Sequence, residues 1–174
     1  MWEFRPARPE EAPAVLAFYE TMIDAMADWP EKPGWKKGIY PTLDYLRACA
    51  QAGELYILTG EGAVLGALVM NNRWNETYDT VSWPVDAKPE EVRVIHTLCV
   101  DVTRHRRGLG RQMMDGCAEA ARAVGCKALR LDVLVGNGPA LAFYPNAGFS
   151  PIATVHGWYP DTDWDDFVMF ERPL

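Results

Sequence analysis

The segment VRVIHTLCVD, residues 92–101, limits what this chain can fold into more than any other. Its middle is apolar at nearly every position, so an extended strand there must be covered on both faces. Such a strand sits inside a sheet that carries helices. It is followed at once by TRHRRGLGR, residues 103–111, with five basic or imidazole side chains around two glycines. Leu109, Met113, Cys117 and Ala121 then recur at helical spacing, and Gly125 is a natural stop. The core of the chain is therefore a buried strand, a basic glycine turn and a helix.

The flanking segments extend this to a mixed α/β layer fold. Residues 2–7 read as a short strand. Residues 9–27 carry apolar positions at helical spacing, and Thr42 is a plausible N-cap for a helix through Ala52. Residues 54–60 and 63–71 read as a hairpin around Glu61 and Gly62. Residues 72–91 have no clear period and read as a long loop. Beyond the central helix, residues 127–135 predict a strand and Pro139 to Tyr144 a short helix ended by Pro145. Phe149 to Val155 and Asp166 to Glu171 predict two last strands. Pro145 disfavours helical angles at the residue before it, which predicts Tyr144 outside the helical region.

Length and charge exclude some classes. A chain of 174 residues suits one domain, residues 1–174, with a core that needs no staples. A net charge of -7 argues against a general binder of nucleic acid or membrane surfaces. No apolar run approaches the roughly 18–20 residues of a membrane span. The N-terminus is too polar for a signal peptide. The cysteines (Cys49, Cys99, Cys117, Cys126) show neither a CxxC pair nor metal-ligand spacing. They read as reduced, buried thiols, which points to a cytoplasmic protein with no metal.

The basic glycine turn is a local anion seat within this acidic chain. A helix start offers free N–H groups and the positive end of the dipole. Glycine lets the backbone approach a ligand, and arginine can grip phosphate oxygens in pairs. A solvated basic helix start is the plain alternative. The later segment LRLDVLVGNGPALAFYPNAGF, residues 129–149, narrows the choice. Asn137, Ala140, Phe143, Tyr144, Gly148 and Phe149 fill the pattern N-x-x-A-x-x-φ-Y-x-x-x-G-F, where φ is apolar. The turn from His105 to Gly110 fills Q/R-x-x-G-x-G/A, with histidine at its first position. Two motifs in this order resemble the GNAT superfamily, the acyl-CoA-dependent N-acyltransferases.

The resemblance implies a single α/β domain with a mixed, mostly antiparallel central sheet flanked by helices. It implies acetyl-CoA as cosubstrate and an N-acetyltransferase acting on a small-molecule or peptide amine. Backbone groups of Leu98, Cys99 and Val100 would pair with the pantetheine arm. Amides of His105, Arg106, Arg107, Gly108, Leu109, Gly110 and Arg111 would hold the pyrophosphate. Asn137 would hydrogen-bond pantetheine, and Tyr144 would face the thioester sulfur. The same residues also suit an acyl-CoA-binding sensor or interaction module that has lost transfer. A homodimer is the usual default for oligomers of this kind.

Each named side chain has a plainer role beside the functional one. Tyr144 could simply pack its ring with Phe143 and Phe149, and Asn137 could only cap the next helix. His96 is the tempting general base, yet a lone histidine in an apolar strand is more often a hydrogen-bonded core residue. Strand alternation puts His96 on the face of Leu98 and Val100 unless a bulge intervenes. Asp132 could orient His96 or serve structure alone. Cys99 is a poor candidate nucleophile without a base in reach. Most of the loop tryptophans read as packing, while a subset could wall an acceptor pocket. Glu76, Asp79, Asp86, Glu90 and Glu91 could rim such a pocket and attract a cationic amine.

Overall fold

The computed structural model describes residues 1–104, 108–160 and 162–174. Seven strands and four helices follow in the order β1 (Glu3–Pro6), α1 (Ala12–Ala25), α2 (Leu43–Gln51), β2 (Leu55–Gly60), β3 (Ala63–Asn71), β4 (Val92–Val100), α3 (Leu109–Ala123), β5 (Ala128–Leu134), α4 (Gly138–Asn146), β6 (Ser150–Tyr159) and β7 (Asp163–Pro173). The strands form one mostly antiparallel open sheet in the order β1-β2-β3-β4-β5-β7-β6. The apolar segment singled out above is β4, fourth of the seven. Among the described residues, no helix is long and apolar enough to cross a membrane.

The chain forms two compact units. The first comprises Met1–Trp29, Trp35–Met70 and His96–Cys117. Its core joins Val15, Tyr19 and Met22 of α1 to Leu46 of α2, Ile57 of β2, Ala67 and Val69 of β3, and Cys99 of β4. These α1 residues repeat at three- and four-residue steps, so one face of the helix meets the strands. The helix is shorter than its apolar pattern: Pro9–Glu11 is a separate 3-10 turn. The proline-containing start satisfies its backbone through Glu11, whose carboxylate accepts from the Arg8 N–H at 2.8 Å and from Arg5 at 2.9 and 2.8 Å. Thr42 caps α2 by accepting from the Tyr45 N–H. The β2–β3 hairpin turns through Glu61 and Gly62, both at positive φ (56° and 78°), the geometry that matches strand twist in a two-residue loop.

The second unit comprises Pro30–Gly34, Asn71–Ile95 and Ala118–Leu174. Tyr78, Val81, Val92, Val94, Phe167 and Met169 form its buried cluster, with Trp74 and Trp83 packed against it. β4 and β5 pair in parallel only from Val92↔Ala128 to Val94↔Arg130. Arg130 and Glu171 face each other across β5 and β7 and bond at 2.8 Å, both deeply buried. Their spare atoms hold the connecting segment: Arg130 donates to the Val85 carbonyl, and Glu171 accepts from the Val85 N–H. Trp83 lies over the Arg130 guanidinium at 4.4 Å. Residues 72–91 are thus pinned, and they contain two 3-10 turns, Glu76–Thr80 and Pro89–Glu91.

Two expectations change here. β6 and β7 run several residues past the predicted strands, out to Tyr159 and Asp163. Their outer halves are polar and aromatic, so no apolar alternation marked them. Cross-strand partners hold them instead, such as His156↔Asp166 and Trp158↔Trp164. Tyr144 is also helical, because Pro145 lies inside the last turn of α4. Only one helical bond is lost there. The Tyr144 carbonyl is satisfied past the proline by the N–H groups of Ala147 and Phe149.

Candidate active site

Most candidate residues before residue 118 fall in the first unit. Thr97 gives β4 its defining irregularity, with φ at 53°. A left-handed angle is unusual for any side chain and costly for a β-branched one. It breaks the alternation that would put His96 on the face of Leu98 and Val100. The kink is held from α1, where the fully buried Tyr19 donates its phenol proton to the Thr97 carbonyl at 2.7 Å. Burial drives the Tyr19 hydroxyl well above its ordinary pKa, so it remains a donor at all working pH. The Thr97 hydroxyl itself is buried, with no hydrogen-bond partner among the described residues. Past the kink, Leu98 and Val100 are half-buried and Cys99 is buried. Burial, reinforced by nearby Asp101, raises the Cys99 thiol far above the thiolate range. A neutral buried thiol is no nucleophile.

The turn after β4 is organised by Asp101. Its carboxylate accepts from the Thr103 N–H, the Thr103 hydroxyl and Arg104, while Arg104 also pairs with Glu61. Arg104 is therefore spent on structure. His105, Arg106 and Arg107 lie outside the described residues. Gly108 has φ at 75°, and a Cβ built there would meet nothing within 4 Å. The first helical bond of α3 runs from the Gln112 N–H to the Gly108 carbonyl at 3.0 Å. The N–H groups of Leu109, Gly110 and Arg111 precede that bond and have no acceptor within the helix. They stand at the positive end of its dipole. Leu109, Met113 and Cys117 face the core, while the exposed Arg111 pairs with Asp115 at 3.3 Å.

The second unit carries Asn137, Tyr144 and Asp132. Asn137 follows β5 and caps α4, its side-chain oxygen accepting from the Ala140 N–H at 3.3 Å. Gly138 beside it lies against the end of the Glu31 side chain. Tyr144 is buried, with its ring against Phe143, Phe149 and Phe170. Gly148, at φ 87°, turns the chain so that Phe149 can reach that ring. Asp132 accepts from the hydroxyls of Tyr78 (2.7 Å) and Tyr159 (2.9 Å). That assigns it a structural role in anchoring the 72–91 segment to β5 and β6.

The other loop candidates sort by contact. Trp29 and Trp35 pack on the first core, and Trp74 and Trp83 on the second. Trp158 and Trp164 are exposed. Asp79 accepts from the Trp74 indole, and Glu91 pairs with Lys127. Sequence reasoning missed Tyr19 and the kink at Thr97. Tyr19 sits on the same apolar stripe as its neighbours, and nothing in that spacing marks a hydroxyl with a partner 78 residues away.

Comparison with known proteins adds to this geometry. The model of the Acetyltransferase (GNAT) family matches residues 15–149. The [ribosomal protein bS18]-alanine N-acetyltransferase of Escherichia coli K12 is 28% identical over 81 residues, covering 46% of this chain and 55% of that protein. The match thus spans about half the length of that relative. A GNAT-family acetyltransferase of Streptococcus agalactiae 2603 shares the fold at a TM-score of 0.82 and 16% identity, with 99% of this chain and 95% of that one covered. The yncA protein of Salmonella typhimurium, solved with its cofactor acetyl-CoA, superposes at a TM-score of 0.70 with 14% identity, covering 99% and 94% of the two chains.

Proposed function

From the premise that this chain belongs to the GNAT family of acetyltransferases, we propose that it moves an acetyl group from acetyl-CoA to a primary amine by direct attack. What supports this most is the first unit: a strand kinked at Thr97, then a glycine at positive φ, then a helix whose first amides have no acceptor within it. A pyrophosphate is the ligand such a helix start suits. Leu98, Cys99 and Val100 then offer backbone groups to the pantetheine arm, as an added strand would. Gly108, Leu109, Gly110 and Arg111 hold the pyrophosphate, and the motif assigns the same role to His105, Arg106 and Arg107. Asn137 serves pantetheine with its side-chain nitrogen, since its oxygen already caps α4.

The chemistry sets two demands. A free alkylamine has a pKa of about 10.4, so neutralising it at pH 7 costs roughly 4.6 kcal/mol. Desolvation of the ammonium or a base must meet that cost, and the half-buried His96 is the assigned base. The neutral amine attacks the thioester carbonyl, and a backbone N–H near Cys99 stabilises the oxyanion. The carbon–sulfur bond then breaks, the amine loses its proton, and the thiolate gains one. A phenol (about 10) is less acidic than a thiol (about 8.5), so Tyr144 stabilises the departing sulfur mainly by donating a hydrogen bond. The acceptor is an amine-bearing small molecule or peptide, in keeping with the relative named for alanine N-acetylation.

Calorimetric titration with acetyl-CoA, followed by thiol release against a panel of amines, tests the proposal. Binding with release is the expected result. Purified protein that neither binds acetyl-CoA nor consumes it with any amine defeats it.

A further inference from the structure

The β6–β7 hairpin carries two tryptophans that lie outside the buried clusters. Trp158 and Trp164 are register partners across it, and they are 47% and 64% exposed. With Asn75, Glu76, Thr77 and Gly157 they line a cavity of about 470 Å³. Small-molecule sites span roughly 300–1,000 Å³ and are walled mainly by apolar and aromatic groups with a few fixed polar ones.

The walls are held in place. The Asn75 side chain accepts from the Thr77 N–H at 3.0 Å and donates to the Trp158 carbonyl at 3.1 Å, tying the 3-10 turn to the hairpin. The Trp158 indole donates to Asp163 at 2.8 Å. The Trp164 ring stacks on His156 at 5.4 Å, and His156 is itself 2.8 Å from Asp166. Gly157 permits the approach of the two walls, since a Cβ there would meet the Thr77 methyl at 3.2 Å. Only the carboxylate of Glu76 is charged among the lining residues, and it has no partner among the described residues.

Aromatic faces attract cations through the ring quadrupole, and a free carboxylate beside them supplies the counter-charge while repelling anions. We propose that this recess binds a small organic cation, an alkylammonium group seated against Trp158 and Trp164 with Glu76 as its counter-ion. The cavity's size suits a small amine rather than a protein surface. None of its lining residues is assigned a part in acetyl transfer above, so its occupation needs no acetyl-CoA.

Putrescine is the probe, and butanediol, of the same length but neutral, is the control. Proton–nitrogen NMR follows the indole N–H signals, assigned with Trp158→Phe and Trp164→Phe, without acetyl-CoA. Saturable shifts of these two signals with putrescine alone are expected. Glu76→Gln weakens the binding at least about fivefold, and added salt weakens it too. Equal shifts with butanediol, no shift at tens of millimolar putrescine, or full binding by Glu76→Gln overturns the proposal. So does sedimentation showing these tryptophans covered by a second copy of the chain. The shifts persist or vanish whatever the outcome of thiol release, so the two readings fail separately.

Discussion

Two tyrosine hydroxyls set the expectations at the scale of the residue. Tyr19 holds the Thr97 carbonyl from inside the first core. Tyr19→Phe removes that donor and leaves a carbonyl in a strained turn without its partner. It is expected to cost about 1–3 kcal/mol in urea unfolding. Acetyl-CoA binding should weaken with it, because the kink aims the amides that follow. Tyr144→Phe keeps the ring and its contacts with Phe143, Phe149 and Phe170. Thiol release should slow roughly 10²-fold, as for loss of a hydrogen-bond donor to charge that develops in the transition state, with acetyl-CoA affinity unchanged. Equal loss of binding in that variant would show a packing role instead. The Asn137 cap and the packing of Tyr144 with Phe143 and Phe149 were both legible from spacing. Tyr19 was not, because a hydroxyl pointing inward leaves the apolar period unchanged.

Elements are tied by a few charged contacts, and one gives a pH dependence. Hydrogen bonds from Arg5 are the main cause that holds the Glu11 carboxyl at about 2, against its ordinary 4.5; burial opposes them and the Arg8 N–H assists. The folded value lies below the unfolded one, so the contact stabilises the start of α1 above pH 4.5 and loses its effect as pH falls from there toward 2. The urea midpoint should drop across that window. Glu11→Gln should show a lower midpoint at neutral pH and a shallower acid fall. A midpoint of Glu11→Gln identical to that of the natural chain at pH 7 would contradict this. The Arg130–Glu171 pair joins β5, β7 and the 72–91 segment deep in the second unit. Glu171→Ala leaves a buried guanidinium without its counter-ion and should cost about 3–5 kcal/mol in the same measurement. Apolar periods, with cap and proline signals, located the helices and strands among the described residues. They missed the outer β6–β7 hairpin and the 3-10 turns, which are held by polar and aromatic partners from distant segments.

For the molecule as a whole, ligand linkage and thiol access can be read together. A ligand that binds only the folded state adds about 2.7 kcal/mol at a hundredfold excess over its Kd, so saturating acetyl-CoA should raise Tm with concentration. All four cysteines are buried thiols outside any disulfide. A thiol reagent should therefore react slowly with the folded protein and reach four equivalents only in denaturant. Acetyl-CoA should slow the native reaction further.

The sequence by itself determined the class of fold, the central place of β4, the glycine turn and the family. Each depends on local spacing: alternate or helical apolar positions, and glycines at fixed offsets. Only the tertiary structure decided that Thr97 kinks β4 under the hold of Tyr19, and that Asp132 is engaged by two tyrosines. It alone joined Trp158 and Trp164 to Glu76 around one recess. Those relations link residues far apart in the chain, and hydrogen-bond partners at such separations are chosen by packing and leave no period in the sequence.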